Sequence, residues 1–219
     1  LSRPELPRIV VLASGQGTNL QALIEAARSG TLPGRIAAVF SDREEARALA
    51  RARTAGITAR FVGPRSFADR AAYEAELARA IAAVDPRVIV LAGFMRVLGP
   101  AFVHRFEGRM INLHPSLLPK YRGLDTHARA LASGDAVHGA TVHFVTEELD
   151  AGPPIVQYRI PVRSGDTADS LAARVHAGEY LILPRATAWL AAGRLELRDG
   201  AAWLDGRRLD EPLVVEAEE

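Results

Sequence analysis

Cysteine is absent from the 219 residues. That excludes disulfides, thiolate metal sites and a cysteine nucleophile, and it fits a reducing compartment, so a cytoplasmic setting is expected. Lysine occurs once, at Lys120, and arginine carries the remaining positive charge. The formal net charge is only +1, too small for a global field that draws a chain to nucleic acid or to a membrane. No apolar run reaches the roughly 18 residues that a membrane-spanning helix needs. The opening Leu1-Ser2-Arg3-Pro4-Glu5 lacks the basic-then-apolar pattern of a secretory signal. Two motifs are also missing. Without H-E-x-x-H there is no zincin signature, and without G-x-S-x-G there is no serine nucleophile elbow. What is present is ordinary globular material, 48% hydrophobic and 24% charged, in a chain long enough to bury a substantial core.

The first half alternates short β-like runs with helical ones. Residues 9–13 are apolar and rich in β-branched side chains, and after a Gly-containing turn Leu20, Leu23, Ile24 and Ala27 recur at helical spacing. Residues 35–40 read as the next strand, 44–55 as a helix stopping at Gly56, and 57–62 as a third strand. A longer helix is expected over 67–84, then strands over 88–91 and 109–114. Such alternation implies a parallel sheet with helices on both faces. After residue 114 the pattern changes. Residues 139–146 and 155–161 read as strands with a short connection, which points to a mixed sheet edge. A terminal helix is expected over 169–190, small β pieces over 194–198 and 201–204, and a frayed acidic tail over 216–219. No repeat or interdomain linker divides the chain, so residues 1–219 are expected to form a single domain.

Ser14-Gly15-Gln16-Gly17-Thr18-Asn19 lies between the first strand and the first helix. Glycine lets backbone approach a ligand, and the free N–H groups of a helix's first turn point at an anion. A dinucleotide fingerprint needs a third glycine where this chain has Leu20, so a single phosphate is the better fit. A tight turn that merely caps the helix would use the same residues.

Further along, Asn112 and His114 alternate with Ile111 and Leu113, so both polar side chains project from one face of the strand. Pro115 keeps His114 extended. They therefore sit at the carboxyl end of a strand, where open α/β sheets place their ligands. An amide that donates to a developing oxyanion, beside an imidazole that carries charge or a proton, suits acyl chemistry. Asp150 belongs to a loop ending in Gly152-Pro153-Pro154 and can orient His114 as a triad carboxylate does; as a plain turn aspartate it would have no such role. His138 and His143 are an odd number of residues apart on one strand, so they face opposite sides and do not share a metal.

Residues 111–123, INLHPSLLPKYRG, closely resemble the central signature of the folate-dependent formyltransferases. The similarity continues through residues 92–98, 138–145 and 149–155. The opening residues 11–21 and the later Ala202-Trp203-Leu204-Asp205-Gly206 resemble the branch acting on phosphoribosylglycinamide. The resemblance implies a three-layer α/β/α, Rossmann-like fold with a mixed, mostly parallel seven-stranded sheet. It implies that 10-formyltetrahydrofolate is the co-substrate and donor, that glycinamide ribonucleotide is the acceptor, and that no metal is needed. Asn112, His114 and Asp150 would be catalytic. Gly17, Thr18 and Asn19 would hold the acceptor's phosphate and Glu179 its ribose. Arg70, Met95, Arg96, Val97, Leu98, Thr146, Glu147, Glu148, Leu149 and Asp150 would line the folate site, with Asn112 at the junction of the two ligands. The phosphate-binding half would run over about residues 1–106 and the catalytic and folate-binding half over about 107–219. Expected partners are small molecules, with neither nucleic acid nor membrane, for a monomer or homodimer. A tRNA formyltransferase needs an added RNA-binding domain and a formyltetrahydrofolate hydrolase usually carries a regulatory one, and the 219 residues leave room for neither. A non-catalytic phosphate-binding module would not need Asn112, His114 and Asp150 together.

Overall fold

The computed structural model describes residues 5–217; Leu1 to Pro4 of the opening segment, and Glu218 and Glu219 of the acidic tail, lie outside the described residues. Strands and helices alternate first: β1 (Arg8–Leu12), α1 (Thr18–Ser29), β2 (Arg35–Ser41), α2 (Arg47–Thr54), β3 (Thr58–Phe61), α3 (Arg70–Ala82), β4 (Val88–Leu91), α4 (Pro100–Arg105) and β5 (Met110–His114). Then come α5 (Thr126–Ala132), β6 (Val137–Phe144), β7 (Pro154–Pro161) and the long α6 (Ala168–Ala191). Four short strands follow: β8 (Leu195–Arg198), β9 (Ala201–Leu204), β10 (Arg207–Arg208) and β11 (Leu213–Glu216).

The main sheet has eight strands in the order β3-β2-β1-β4-β5-β6-β7-β11. Neighbours run parallel except where β6 is involved. Strands β8 to β10 make a separate antiparallel sheet. β4 is buried at every position, as a central parallel strand covered on both faces must be. Along β1 the side chains divide by alternation. Ile9 and Val11 join the cluster that includes residues of α1, α2 and α6, while Val10 and Leu12 join residues of α3 and α4. The result is a mixed, mostly parallel sheet between two helical layers.

The strand order reverses beside β1. β2 and β3 extend to one side of it and β4 lies on the other, so the loops after β1 and β4 diverge and leave a crevice at the strands' carboxyl ends. β5 lies next to β4, with Leu91 opposite Asn112.

Several expectations change. The sheet has eight strands rather than seven, because residues 213–216 pair with Val156 to Arg159 of β7; of the tail expected to fray from residue 216, Glu216 belongs to that strand and Ala217 donates its N–H to the Arg159 carbonyl. The helix expected over 67–84 begins only at Arg70, because Asp69 caps it by accepting the Ala72 N–H at 2.8 Å. The helix expected from residue 44 begins at Arg47. α4 and α5 span only six and seven residues, too few to show a helical period.

Helix α6 and strand β7 meet at a close approach. A Cβ on Gly178 would stand 1.8 Å from the Tyr158 ring. Gly178→Ala gains about 1 kcal/mol of helix propensity, but overpacking costs roughly 1–3 kcal/mol or more. The variant is therefore expected to unfold at lower urea concentration; an unchanged or higher midpoint would contradict this packing.

Candidate active site

β5 carries Asn112 and His114, and the loop between β6 and β7 carries Asp150. The structure brings all three together. The Asp150 carboxylate lies 3.3 Å from His114 Nδ1 through Oδ2, and both side chains are more than nine-tenths buried. The same Oδ2 accepts the Gly123 N–H at 2.9 Å, and Oδ1 lies 3.5 Å from Asn112 Nδ2. Asp150 itself adopts a left-handed conformation, φ 50, which costs an ordinary residue but suits Asp. On its other side His114 Nε2 meets the Tyr121 carbonyl oxygen at 2.8 Å. Both ring nitrogens thus face groups that only accept.

His143, on β6 opposite Asn112, orients the amide. Its Nδ1 lies 2.8 Å from the Phe144 carbonyl, and burial pushes its pKa down to about 4, so the ring is neutral at physiological pH. A carbonyl only accepts, so the single N–H sits on Nδ1 and Nε2 presents a lone pair. The atom of Asn112 facing that lone pair at 3.1 Å, and facing the Asp150 carboxylate as well, is the donor nitrogen Nδ2. One of its N–H bonds is anchored on His143. The other makes only a long contact to Asp150. Spacing along β6 bears on His143 only as a metal ligand, and its cross-strand pairing with Asn112 is not legible along one strand. His138, on the opposite face of β6, bonds instead to His127 at 3.0 Å.

The Gly15–Asn19 turn leads into α1, whose first turn contains no acidic residue and whose cap offers no side-chain acceptor. Among the described residues, the amides of Thr18, Asn19 and Leu20 have no protein acceptor. Gly17 has φ 71, and a Cβ there would stand 2.7 Å from Ala48 Cα. That turn and its contact with α2 account for the glycine by themselves, so the anion-binding argument rests on the free amides. Asn19 Nδ2 donates to Glu179 Oε2 of α6 at 2.8 Å, joining two residues 160 apart. Burial raises the Glu179 pKa, opposed by the Asn19 hydrogen bond and by nearby His176 and His114. The Asn19 amide oxygen is buried without a partner among the described residues.

The loop after β4 holds Met95, Arg96, Val97 and Leu98. Met95 and Val97 are more than half exposed, whereas Leu98 is buried. Arg70 of α3 reaches this loop through the Val97 carbonyl at 2.9 Å and also holds Glu74 at 2.6 Å. Arg96 lies over the Tyr73 ring, 5.3 Å from its centre. Across the crevice Leu149 is half exposed, and the Thr146 hydroxyl makes a 3.4 Å bond to the Glu148 carbonyl. Glu147 pairs with His104, and Glu148 with Arg122 at 2.5 Å. Those carboxylates are engaged with neighbouring side chains and make no bond to Arg70 or Arg96.

An amide and an imidazole that converge on one buried carboxylate, at the carboxyl end of a strand in an α/β sheet, suit acyl transfer. Residues 7–187 match the formyl transferase family. The chain belongs to that family of formyl-transferring enzymes. It is 52% identical over 201 residues to the phosphoribosylglycinamide formyltransferase of Escherichia coli (strain K12), across 92% of this chain and 95% of that one. Identity to the same-named protein of Haemophilus influenzae is 42%, across 93% and 96%. The solved structure of phosphoribosylglycinamide formyltransferase from Coxiella burnetii, in complex with CHES, superposes with a TM-score of 0.91 at 49% identity, covering 95% of this chain and all of that one.

The tautomer argument has a direct check. An unfolded imidazole titrates near 6.5, whereas folded His143 titrates near 4. Its contribution to stability is therefore complete above pH 6.5 and is lost as pH falls toward 4, since the unfolded ring takes a proton first. Nitrogen NMR of the ring should show the neutral Nδ1–H form from pH 8 down to about 5.5; protonation within that range would contradict the assignment.

Proposed function

We propose that the chain transfers the formyl group of 10-formyltetrahydrofolate to the primary amine of N1-(5-phospho-D-ribosyl)glycinamide, giving the N2-formyl product and tetrahydrofolate in de novo purine (IMP) biosynthesis. The observation that carries the proposal is the convergence of Asn112 and His114, both from β5, on the buried carboxylate of Asp150 from the loop between β6 and β7. Resemblance to two formyltransferases across nearly the whole of each chain supports the substrate pair.

In this reading the uncharged amine attacks the formyl carbon. The carbonyl π pair moves to oxygen, which becomes negative. His114 Nε2–H and the second N–H of Asn112 are the donors for that oxygen, and His114 must release the Tyr121 carbonyl to serve it. Asp150 stabilises the charged imidazole throughout. Collapse re-forms the carbonyl and breaks the bond to the folate nitrogen, while a proton passes from the attacking amine to that leaving nitrogen, assisted by His114 and Asp150. Preorganised donors of this kind are worth on the order of 3 kcal/mol each in acyl transfer, and holding both reactants adds several more.

The acceptor's phosphate is assigned to the amides of Thr18, Asn19 and Leu20, entered through the Gly17 turn. Its ribose hydroxyls are assigned to Glu179 and to the unpartnered Asn19 oxygen. Exposed Met95, Val97 and Leu149 would cover the folate's ring, with Leu98 beneath and Arg70 and Arg96 supplying positive charge. The Thr146 to Asp150 loop, including Glu147 and Glu148, would close the opposite side. The chain would act as one unit, with residues 1–106 furnishing the phosphate amides and 107–219 the reacting groups, and the folate rim drawing on both.

His114→Ala and Asp150→Ala are each expected to lower kcat by roughly two to four powers of ten, while folate binding stays measurable by calorimetry. Turnover within about tenfold of the parent would remove that residue from the mechanism. The same assay run with the ribonucleotide, with tRNA and without acceptor should show turnover only with the ribonucleotide.

A further inference from the structure

One hydroxyl bridges the crevice beside β1. Ser14 follows β1 and is only 2% exposed. Its backbone N–H donates to the Gly93 carbonyl of the β4 loop at 2.9 Å. Its Oγ accepts the Met95 N–H at 2.8 Å and donates to Asp42 Oδ1 at 2.5 Å. Asp42 follows β2 and its side chain is 6% exposed. The loops after β2, β1 and β4, three adjacent parallel strands, are thus tied through a single side chain.

A hydroxyl has one proton to give, which Asp42 takes, and one of its lone pairs accepts the Met95 N–H. The second carboxylate oxygen of Asp42 faces Arg96 at 3.9 Å, and Arg96 lies over Tyr73. Burial first, and the Asp42 charge second, push the Tyr73 pKa up to about 12, so the ring under Arg96 stays an uncharged phenol. Removing the Ser14 hydroxyl would leave the Met95 N–H without its acceptor and the Asp42 carboxylate without its donor. A buried charge with a lost partner is unfavourable, so the loop would move to find water.

We propose that Ser14 and Asp42 are positioning residues that set the folate loop, Met95 to Leu98, against the phosphate turn that begins one residue after Ser14. The inference rests on the assignment of Met95 to Leu98 to the folate site. Neither residue touches the reacting atoms, so the effect should fall on folate KM and spare the chemistry.

The test compares Ser14→Ala, Asp42→Ala and Asp42→Asn in the full chain, with steady-state kinetics for both substrates and hydrogen exchange at the Met95 amide without ligand. Ser14→Ala and Asp42→Ala should raise the KM for 10-formyltetrahydrofolate about tenfold, with kcat and the acceptor KM within about twofold. Met95 exchange should quicken in both. Asp42→Asn should restore folate KM, because its amide oxygen still accepts from Ser14; general structural damage would not be rescued in this way. Unchanged Met95 exchange in Ser14→Ala would overturn the tie itself. Faster exchange with unchanged folate KM would instead sink the folate assignment of the loop, and this inference with it. Equal losses in kcat and both KM values, unrescued by Asn, would reduce the pair to a purely structural role.

Discussion

The site depends on one buried carboxylate. Asp150 is too enclosed to keep its charge on water alone, and an unpaired buried charge is far more costly than a paired one. It is satisfied only if β5 delivers His114 and Asn112 while the segment after β5 delivers the Gly123 N–H. The loop between β6 and β7 folds back with Asp150 in a left-handed conformation to reach them. Three stretches that have no local reason to meet are held at one point by electrostatics. That same charge is what would keep an imidazolium in place beside a reacting carbonyl.

The sheet supplies the rest of the geometry. Reversal of strand order at β1 opens the crevice, and the groups proposed for the two ligands lie along it: α1 amides on one side, the β4 loop on the other, and Asn112 on the strand beyond. α6 closes the side proposed for the acceptor by bringing Glu179 to Asn19. The long helix can do so because Gly178 lets it settle on Tyr158. Fold and site are coupled through such contacts, so a substitution in α6 that lifts the helix also moves the proposed ribose acceptor.

Much of this was legible along the chain, for identifiable reasons. Strands such as residues 88–91 are continuously apolar because both faces are covered, and side-chain alternation alone placed Asn112 and His114 on one face. Short elements escaped: α4 and α5 are too brief for a period, and β11 is a four-residue edge strand that buries little. Of the site, the roles of Ser14, Asp42 and His143 were invisible for a different reason. Each acts through pairing between strands or between loops after neighbouring strands, and only the register reveals which residues stand opposite. Glu179 and Arg70 came from family resemblance rather than from local pattern, since a lone Glu or Arg on a helix carries no signal of its own.

The most direct measurement is a structure of the protein with the ribonucleotide and a non-reactive folate analogue whose carbonyl or hydrated carbonyl stands at the formyl position. The account predicts that His114 Nε2 leaves the Tyr121 carbonyl and lies within hydrogen-bond distance of that oxygen, together with Asn112 Nδ2, while Asp150 stays on Nδ1. An analogue oxygen bound elsewhere, with His114 still on Tyr121 and Asn112 turned away, would contradict it.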